Sequence, residues 1–267
     1  MTVDIPTLLP ARRITDNWTV LPSWLPVPGL GALPVNAFVL KGREPMLVDT
    51  GLAVLGDGFV EALSAEIDLE DLRWIWLSHM DADHVGNLQR VLERAPNARV
   101  LTNFLGMGKM NLAGLDVSRV QLLEPGAAIE IGGHQLHPVR PPYYDAPETV
   151  GFFDARDRAF FAADSFGALL PETAHEIGEI EDGVLRDGLV GWSSIDAPWL
   201  AAADPDALGH TLAALERLDP EFLLSGHLPL ARNGVGALTR HVANAYCRGT
   251  SGAVDPLSLE HLIATLG

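Results

Sequence analysis

Leu77-Ser78-His79-Met80-Asp81-Ala82-Asp83-His84-Val85-Gly86-Asn87 places four side chains able to ligate a metal within six positions. The apolar run Trp74-Ile75-Trp76-Leu77 before it reads as a buried strand. After it, Val85, Leu88, Val91 and Leu92 share one helical face, so His84 to Arg94 is predicted as helix. On one continuous helix the four side chains would splay around the axis, whereas a loop at the carboxyl end of a strand can turn them toward a common point. The stretch therefore predicts strand, ligand-bearing loop and helix. The competing reading makes Asp83 or Asn87 a plain helix cap.

Working outward, WTVL, LPSWLPVPGLGALP, VNAFVL and MLVDTG alternate apolar runs with Pro and Gly between Trp18 and Gly51, which predicts strands joined by turns. Phe59, Leu63 and Ile67 recur at i, i+4 and i+8 and predict a helix from Gly56 to Ile67. From Val100 to Ala162 a second series of strand signals includes AIEIGG, HQLHPV, TVGFFD and AFFAAD. Helical stretches at Pro205 to Leu218 and Val235 to Tyr246 then flank a short strand from Glu221 to Leu224. Two rounds of strands and helices predict an α/β fold of two sheet-plus-helix halves packed face to face. No linker or repeat divides residues 1–267, so a single domain is expected.

The 267 residues are 48% hydrophobic, enough for a sizeable core. Eighteen basic residues against 35 acidic ones give a net charge of −17, which repels nucleic acid. Cys247 is the lone cysteine, excluding an intrachain disulfide and thiolate-rich zinc or iron–sulfur sites. The sequence MTVDIPTLLPARR has no basic start followed by an apolar core. Nor does any stretch approach the ~18 apolar residues of a membrane span, so a cytoplasmic protein with no membrane partner is expected.

The HxDxDH run after an apolar strand, with Leu47-Val48-Asp49-Thr50-Gly51 upstream, resembles the metallo-β-lactamase superfamily and implies its αββα four-layer sandwich. The usual signature is HxHxDH; here Asp81 replaces the second histidine. A carboxylate there is the mark of the flavodiiron and oxygen-binding di-iron branch. Later segments resemble that branch in order. Pro142 to Thr149 (PYYDAPET) matches a ligand loop with Asp145 at the place of a histidine, Phe160 to Gly167 (FFAADSFG) a strand end with a bridging Asp164, and Leu223 to His227 (LLSGH) the final histidine loop. The resemblance implies His79, Asp81 and Asp145 on one metal, Asp83, His84 and His227 on the other, and Asp164 between them. Asp49 and Thr50 are then support that orients the ligands.

Four carboxylates and three imidazoles balance two divalent cations and form a hard donor set, so iron is expected, with manganese or zinc as alternatives. The resemblance implies binding or reduction of dioxygen or nitric oxide. The forty residues after His227 are too few for a flavodoxin-like FMN domain, so a separate redox partner is expected. A homodimer is compatible with the resemblance. Three other readings stand beside it: a hydrolase of a small ester, lactone, thioester or phosphoester in which Asp83 orients a metal-bound water, a non-catalytic oxygen or metal sensor, and an oxygenase that uses the same di-iron site on an organic substrate. His134 and His137 are expected to be ordinary strand or surface residues. His175, His210, His241 and His261 are isolated, and Tyr143, Tyr144, Phe166 and Trp192 are core or rim aromatics. His175 to Asp187 is expected to be a solvated loop rather than a lid.

Overall fold

The structure is a computed structural model that describes residues 4–247. His261 lies outside the described residues. The first sheet contains β1 (Thr7–Leu8), β2 (Arg12–Arg13), β3 (Trp18–Val27), β4 (Gly31–Leu40), β5 (Met46–Val48), β6 (Trp74–Trp76), β7 (Arg99–Thr102) and β8 (Val120–Leu122). The second contains β9 (Ile129–Ile131), β10 (His134–Val139), β11 (Gly151–Asp154), β12 (Ala159–Phe161), β13 (Phe222–Leu224) and β14 (Ala231–Arg232), in the order β14-β13-β12-β11-β10-β9. On the first sheet lie α1 (Gly56–Glu66), α2 (Ala82–Val85), α3 (Leu88–Arg94) and α4 (Phe104–Leu112). Associated with the second are α5 (Asp182–Asp196), α6 (Pro205–Leu218) and α7 (Val235–Tyr246).

Strand alternation builds the four layers, because successive side chains point to opposite faces. Phe38, Leu40, Met46, Val48 and Trp76 of the first sheet meet Leu136, Phe152, Phe161, Phe222 and Leu224 of the second. The intervening residues face outward. Ala37, Val39, Leu47 and Ile75 pack on Phe59 and Leu63 of α1 and Leu88 and Val91 of α3. Phe160 and Leu223 pack on Leu189 of α5, Leu212 of α6 and Leu238 of α7. The chain thus has the expected αββα architecture.

Three local expectations change. The strands predicted in short pieces between Trp18 and Leu40 form one hairpin of two ten-residue strands, β3 and β4, that contain Pro22, Pro26 and Pro34. Pro22 and Pro26 lie outside the residues of β3 that β1 and β2 pair, Pro22 only accepting at its carbonyl from the Leu9 amide (2.9 Å), and β5 covers only Phe38–Leu40 of β4, so these prolines remove no ladder bond there. The strand series from Val100 to Ala162 is divided: β7 and β8 join the first sheet, with α4 between them. The predicted helix from His84 to Arg94 breaks into α2 and α3 at Gly86 and Asn87. A Cβ at Gly86 would stand 2.3 Å from the Ala53 nitrogen and the Gly51 oxygen, and the Asn87 amide donates to the carbonyls of Thr50 (2.8 Å) and Leu52 (3.0 Å). Close backbone approach, rather than helical periodicity, decides this turn.

Candidate metal centre

The seven sequence-predicted residues come together at one end of the sandwich. His79 follows β6. Asp81 is the N-cap residue of α2, and its side chain makes no capping bond, nor does that of Asn87 at α3. The capping reading of this segment therefore fails, and the first turn instead presents Asp83 and His84. Asp145 comes from the loop after β10, Asp164 from the end of β12 and His227 from the loop after β13.

Each imidazole is anchored by Nδ1, leaving Nε2 to face the centre. Asp49 Oδ2 lies 2.8 Å from His84 Nδ1, and Asp49 also accepts from the Ser78 amide (2.8 Å) and hydroxyl (2.7 Å). The Ser78 hydroxyl is 2.9 Å from His79 Nδ1. His227 Nδ1 donates to the Pro34 carbonyl at 2.8 Å. Asn36 joins the two sheets beneath it, donating to the carbonyls of Ser225 (2.9 Å) and Leu228 (2.8 Å). Thr50 donates to the His84 carbonyl at 2.8 Å. Asp49 and Thr50 thus hold His84 from behind.

Asp164 stands among the three Nε2 atoms. Its Oδ2 is 3.2 Å from His79, and its Oδ1 is 3.0 Å from His84 and 3.4 Å from His227. Asp145 Oδ2 is 3.7 Å from His79 Nε2, and Asp83 Oδ2 is 3.4 Å from His227 Nε2. The donor atoms of His79, Asp81 and Asp145 lie within 4.8 Å of one another, as do those of Asp83, His84 and His227, and those of His79, His84 and Asp164. Nε2 of His79 and His84 and Oδ1 of Asp164 are buried without a hydrogen-bond partner. Such atoms are costly unless something else satisfies them. Cations fit that requirement.

The electrostatics agree. Burial would lower the imidazole pKa values, yet Asp164 together with the other carboxylates around each ring outweighs it: His79 is raised, with Asp145 adding to Asp164; His84 is raised well above its usual value, with Asp83 and Asp49; and His227 is held up at about 9, with Asp83. Burial would raise Asp164, but His84, His79 and His227 hold it well below the usual carboxylate range. Asp83 is likewise lowered against burial by His84 and His227. Asp145 is raised by burial, with Asp164 and Asp81 adding to it. In the metal-free centre, protons on the imidazoles stand in for positive charge that cations would bring.

Sequence reasoning misses Asp196. It ends α5, its carboxylate lies within 4.8 Å of those of Asp145 and Asp164, and burial together with Asp164 pushes it up to about 7. Four residues earlier, the Trp192 ring lies 5.1 Å from that of His227. The predicted loop from His175 to Asp187 is therefore partly helix, because Asp182 already begins α5. No local signal marks Asp196: an isolated acidic residue at a helix end is ordinary.

His134 opens β10, a strand residue as expected, and is buried. Its Nδ1 is 2.8 Å from Asp154 Oδ2, which also accepts from Trp18 Nε1 at 2.8 Å. Asp157, nearby, accepts from Thr15 (2.7 Å) and Asn17. These donors saturate the carboxylates, so the cluster is a hydrogen-bonded brace. His241 is also buried, 3.0 Å from Asp182, whereas His210 is exposed.

The sequence profile described as "Metallo-beta-lactamase superfamily" matches residues 30–227. The chain is 31% identical over 134 residues to the putative diflavin flavoprotein A 1 of Thermosynechococcus vestitus, which is 50% of this chain and 24% of that protein. It is 28% identical over 137 residues to the type A flavoprotein fprA of Rhodobacter capsulatus, 50% of this chain and 32% of that one. These alignments span about a quarter to a third of the relatives' own length. Among solved structures, a mutant of the flavo-di-iron protein of Thermotoga maritima superposes with a TM-score of 0.76 at 20% identity, covering 90% of this chain and 62% of that one. Among the described residues no helix is long and apolar enough to cross a membrane.

Proposed function

The chain belongs to the metallo-β-lactamase superfamily, and from that premise we propose that it holds a dinuclear, carboxylate-rich iron centre that binds or reduces dioxygen or nitric oxide with electrons from a separate donor. The observation that carries the reading is the posture of Asp164, whose two oxygens face different imidazoles, Oδ2 toward His79 and Oδ1 toward His84 and His227. A carboxylate so placed is suited to lie between two cations. His79, Asp81 and Asp145 would hold one and Asp83, His84 and His227 the other. The hard, thiolate-free set favours iron, with manganese next. The likeness to flavoproteins and a flavo-di-iron protein supports the same choice.

Two iron ions, when bound, supply electrons and open positions for a diatomic ligand. The chain's own part is to bind, orient and shield. His79 is 0% exposed and His84 and His227 are buried, while Asp83 (25% side-chain exposure) and Asp145 (13%) form the rim. The Nδ1 anchors keep each Nε2 aimed inward before any ligand arrives, which removes a reorganisation cost. Asp83, held ionised at the rim by His84 and His227, is the carboxylate placed to orient a small molecule beside the cation it would hold.

One feature favours a second reading. An ionised Asp83 at the rim is also what a hydrolase of a small ester, lactone, thioester or phosphoester needs to orient a water. Metal analysis of protein purified anaerobically, followed by Mössbauer and optical spectra, separates the two. Two irons per chain whose spectra change on adding oxygen support the proposal. Stoichiometric zinc without that response overturns it in favour of the hydrolase, and metal uptake with neither response nor turnover favours a sensor.

A further inference from the structure

Resting on that metal centre, the geometry points to Asp196 as a further ligand, an additional carboxylate on the cation that Asp145 holds. A donor oxygen of Asp196 lies within 4.8 Å of donor oxygens of both Asp145 and Asp164. Asp196 Oδ2 is shut off from solvent and has no hydrogen-bond partner. The atoms around this cluster are in the same condition: His79 Nε2, on a fully buried ring, and Asp164 Oδ1 both lack a hydrogen bond.

Three crowded carboxylates ordinarily recruit lysine or arginine. Among the described residues the ion-pair contacts of Asp145 and Asp164 are to histidines, and Asp196 has none. Asp196 is moreover the last residue of α5, where the partial negative charge of the helix end disfavours another anion. The helix cannot easily withdraw it. A Cβ on Gly188 would stand 2.4 Å from the Leu169 carbonyl oxygen, so α5 lies directly against that backbone. A carboxylate within 4.8 Å of two others, at the unfavourable end of a helix, with an unsatisfied oxygen, is accounted for by a cation shared among them. A fifth carboxylate also makes the centre harder, deepening its preference for iron or manganese over zinc.

The test uses the full-length protein, stripped of metal and titrated anaerobically with ferrous iron and separately with manganese(II), as wild type, Asp196→Asn and Asp196→Glu. Affinities are read by chelator competition, and folding by the melting temperature of the metal-free forms. The wild type should take two cations. Asp196→Asn should bind one of them at least about tenfold more weakly, with the other unchanged, and Asp196→Glu, which keeps the carboxylate, should recover part of the loss. Metal-free Asp196→Asn should melt no lower than wild type, since the amide removes repulsion and fits the same space. Unchanged affinities in Asp196→Asn, or equal losses in the Asn and Glu variants, overturn the assignment while leaving the metal centre standing. A wild type that takes no cation overturns the metal centre itself and this inference with it.

Discussion

Asp49 Oδ2 sits 2.8 Å from Nδ1 of His84, and the same carboxylate binds the Ser78 amide and hydroxyl, so one buried side chain fixes both the imidazole and the strand end that launches the ligand loop. Asp49 adopts a left-handed backbone, φ 55°, which asparagine also tolerates. Asp49→Asn should therefore keep the turn but lose the charge that orients and polarises His84. Metal affinity should fall about 10–100-fold, as read by chelator competition. Unchanged affinity would remove Asp49 from the support of the centre.

Among the carboxylates that raise the three buried imidazoles, Asp164 ranks first for each. In metal-free Asp164→Asn that largest opposition to burial is gone, so the pKa values of His79, His84 and His227 should all fall, as followed by NMR titration of the ring protons. The same variant should lose binding of at least one metal.

Metal should cancel a pH dependence that the metal-free protein shows. His227 has a folded pKa of about 9 against a usual 6.5. A raised histidine contributes stability that is complete below the unfolded pKa and lost as pH rises through the folded one. Metal-free protein should thus lose stability between about pH 6.5 and 9. Cations compete with those same protons, so the rise in melting temperature on adding metal should grow over that range. A metal increment that shrinks with pH would contradict the histidine ligands.

The clustering of His79, Asp81, Asp83 and His84 was legible because they are neighbours in sequence, and that of Asp145, Asp164 and His227 because the segments around them resemble those of the flavodiiron branch. Asp196 was not: its carboxylate meets those of Asp145 and Asp164 only through the docking of α5 against the rest of the fold, a tertiary relationship that no local pattern announces. His134 is a strand residue, as expected, but its burial was not legible, since Asp154, which binds it, and Trp18, which donates to the same carboxylate, lie 20 and more than 100 residues away. The β3–β4 hairpin was read in short pieces because proline signals a break unless one knows which strand edges remain uncovered.

The brace at His134 gives a contrast to the centre. Asp154→Ala leaves Trp18 Nε1 and His134 Nδ1 buried without their acceptor, at a cost of about 1–3 kcal/mol for each. Denaturant unfolding should show that loss while metal content stays at the wild-type value. A drop in bound metal without loss of stability would assign the brace a ligand role instead.

Gly167 tests whether the α5 side of the centre is as tightly built as the strand side. A Cβ there would come within 2.3 Å of Trp192 Cδ1 and 2.8 Å of His227 Cβ. The indole ring, on a helix held by Gly188, has little room to retreat, so part of the displacement must pass to His227. That would draw its Nε2 away from Asp164 and Asp83, now 3.4 Å from each. Gly167→Ala should therefore weaken the cation held by Asp83, His84 and His227 more than the one held by His79, Asp81 and Asp145. Stepwise manganese(II) titration followed by electron paramagnetic resonance resolves the two. Equal weakening would mean that the clash is relieved by moving α5 as a whole, and with it Asp196.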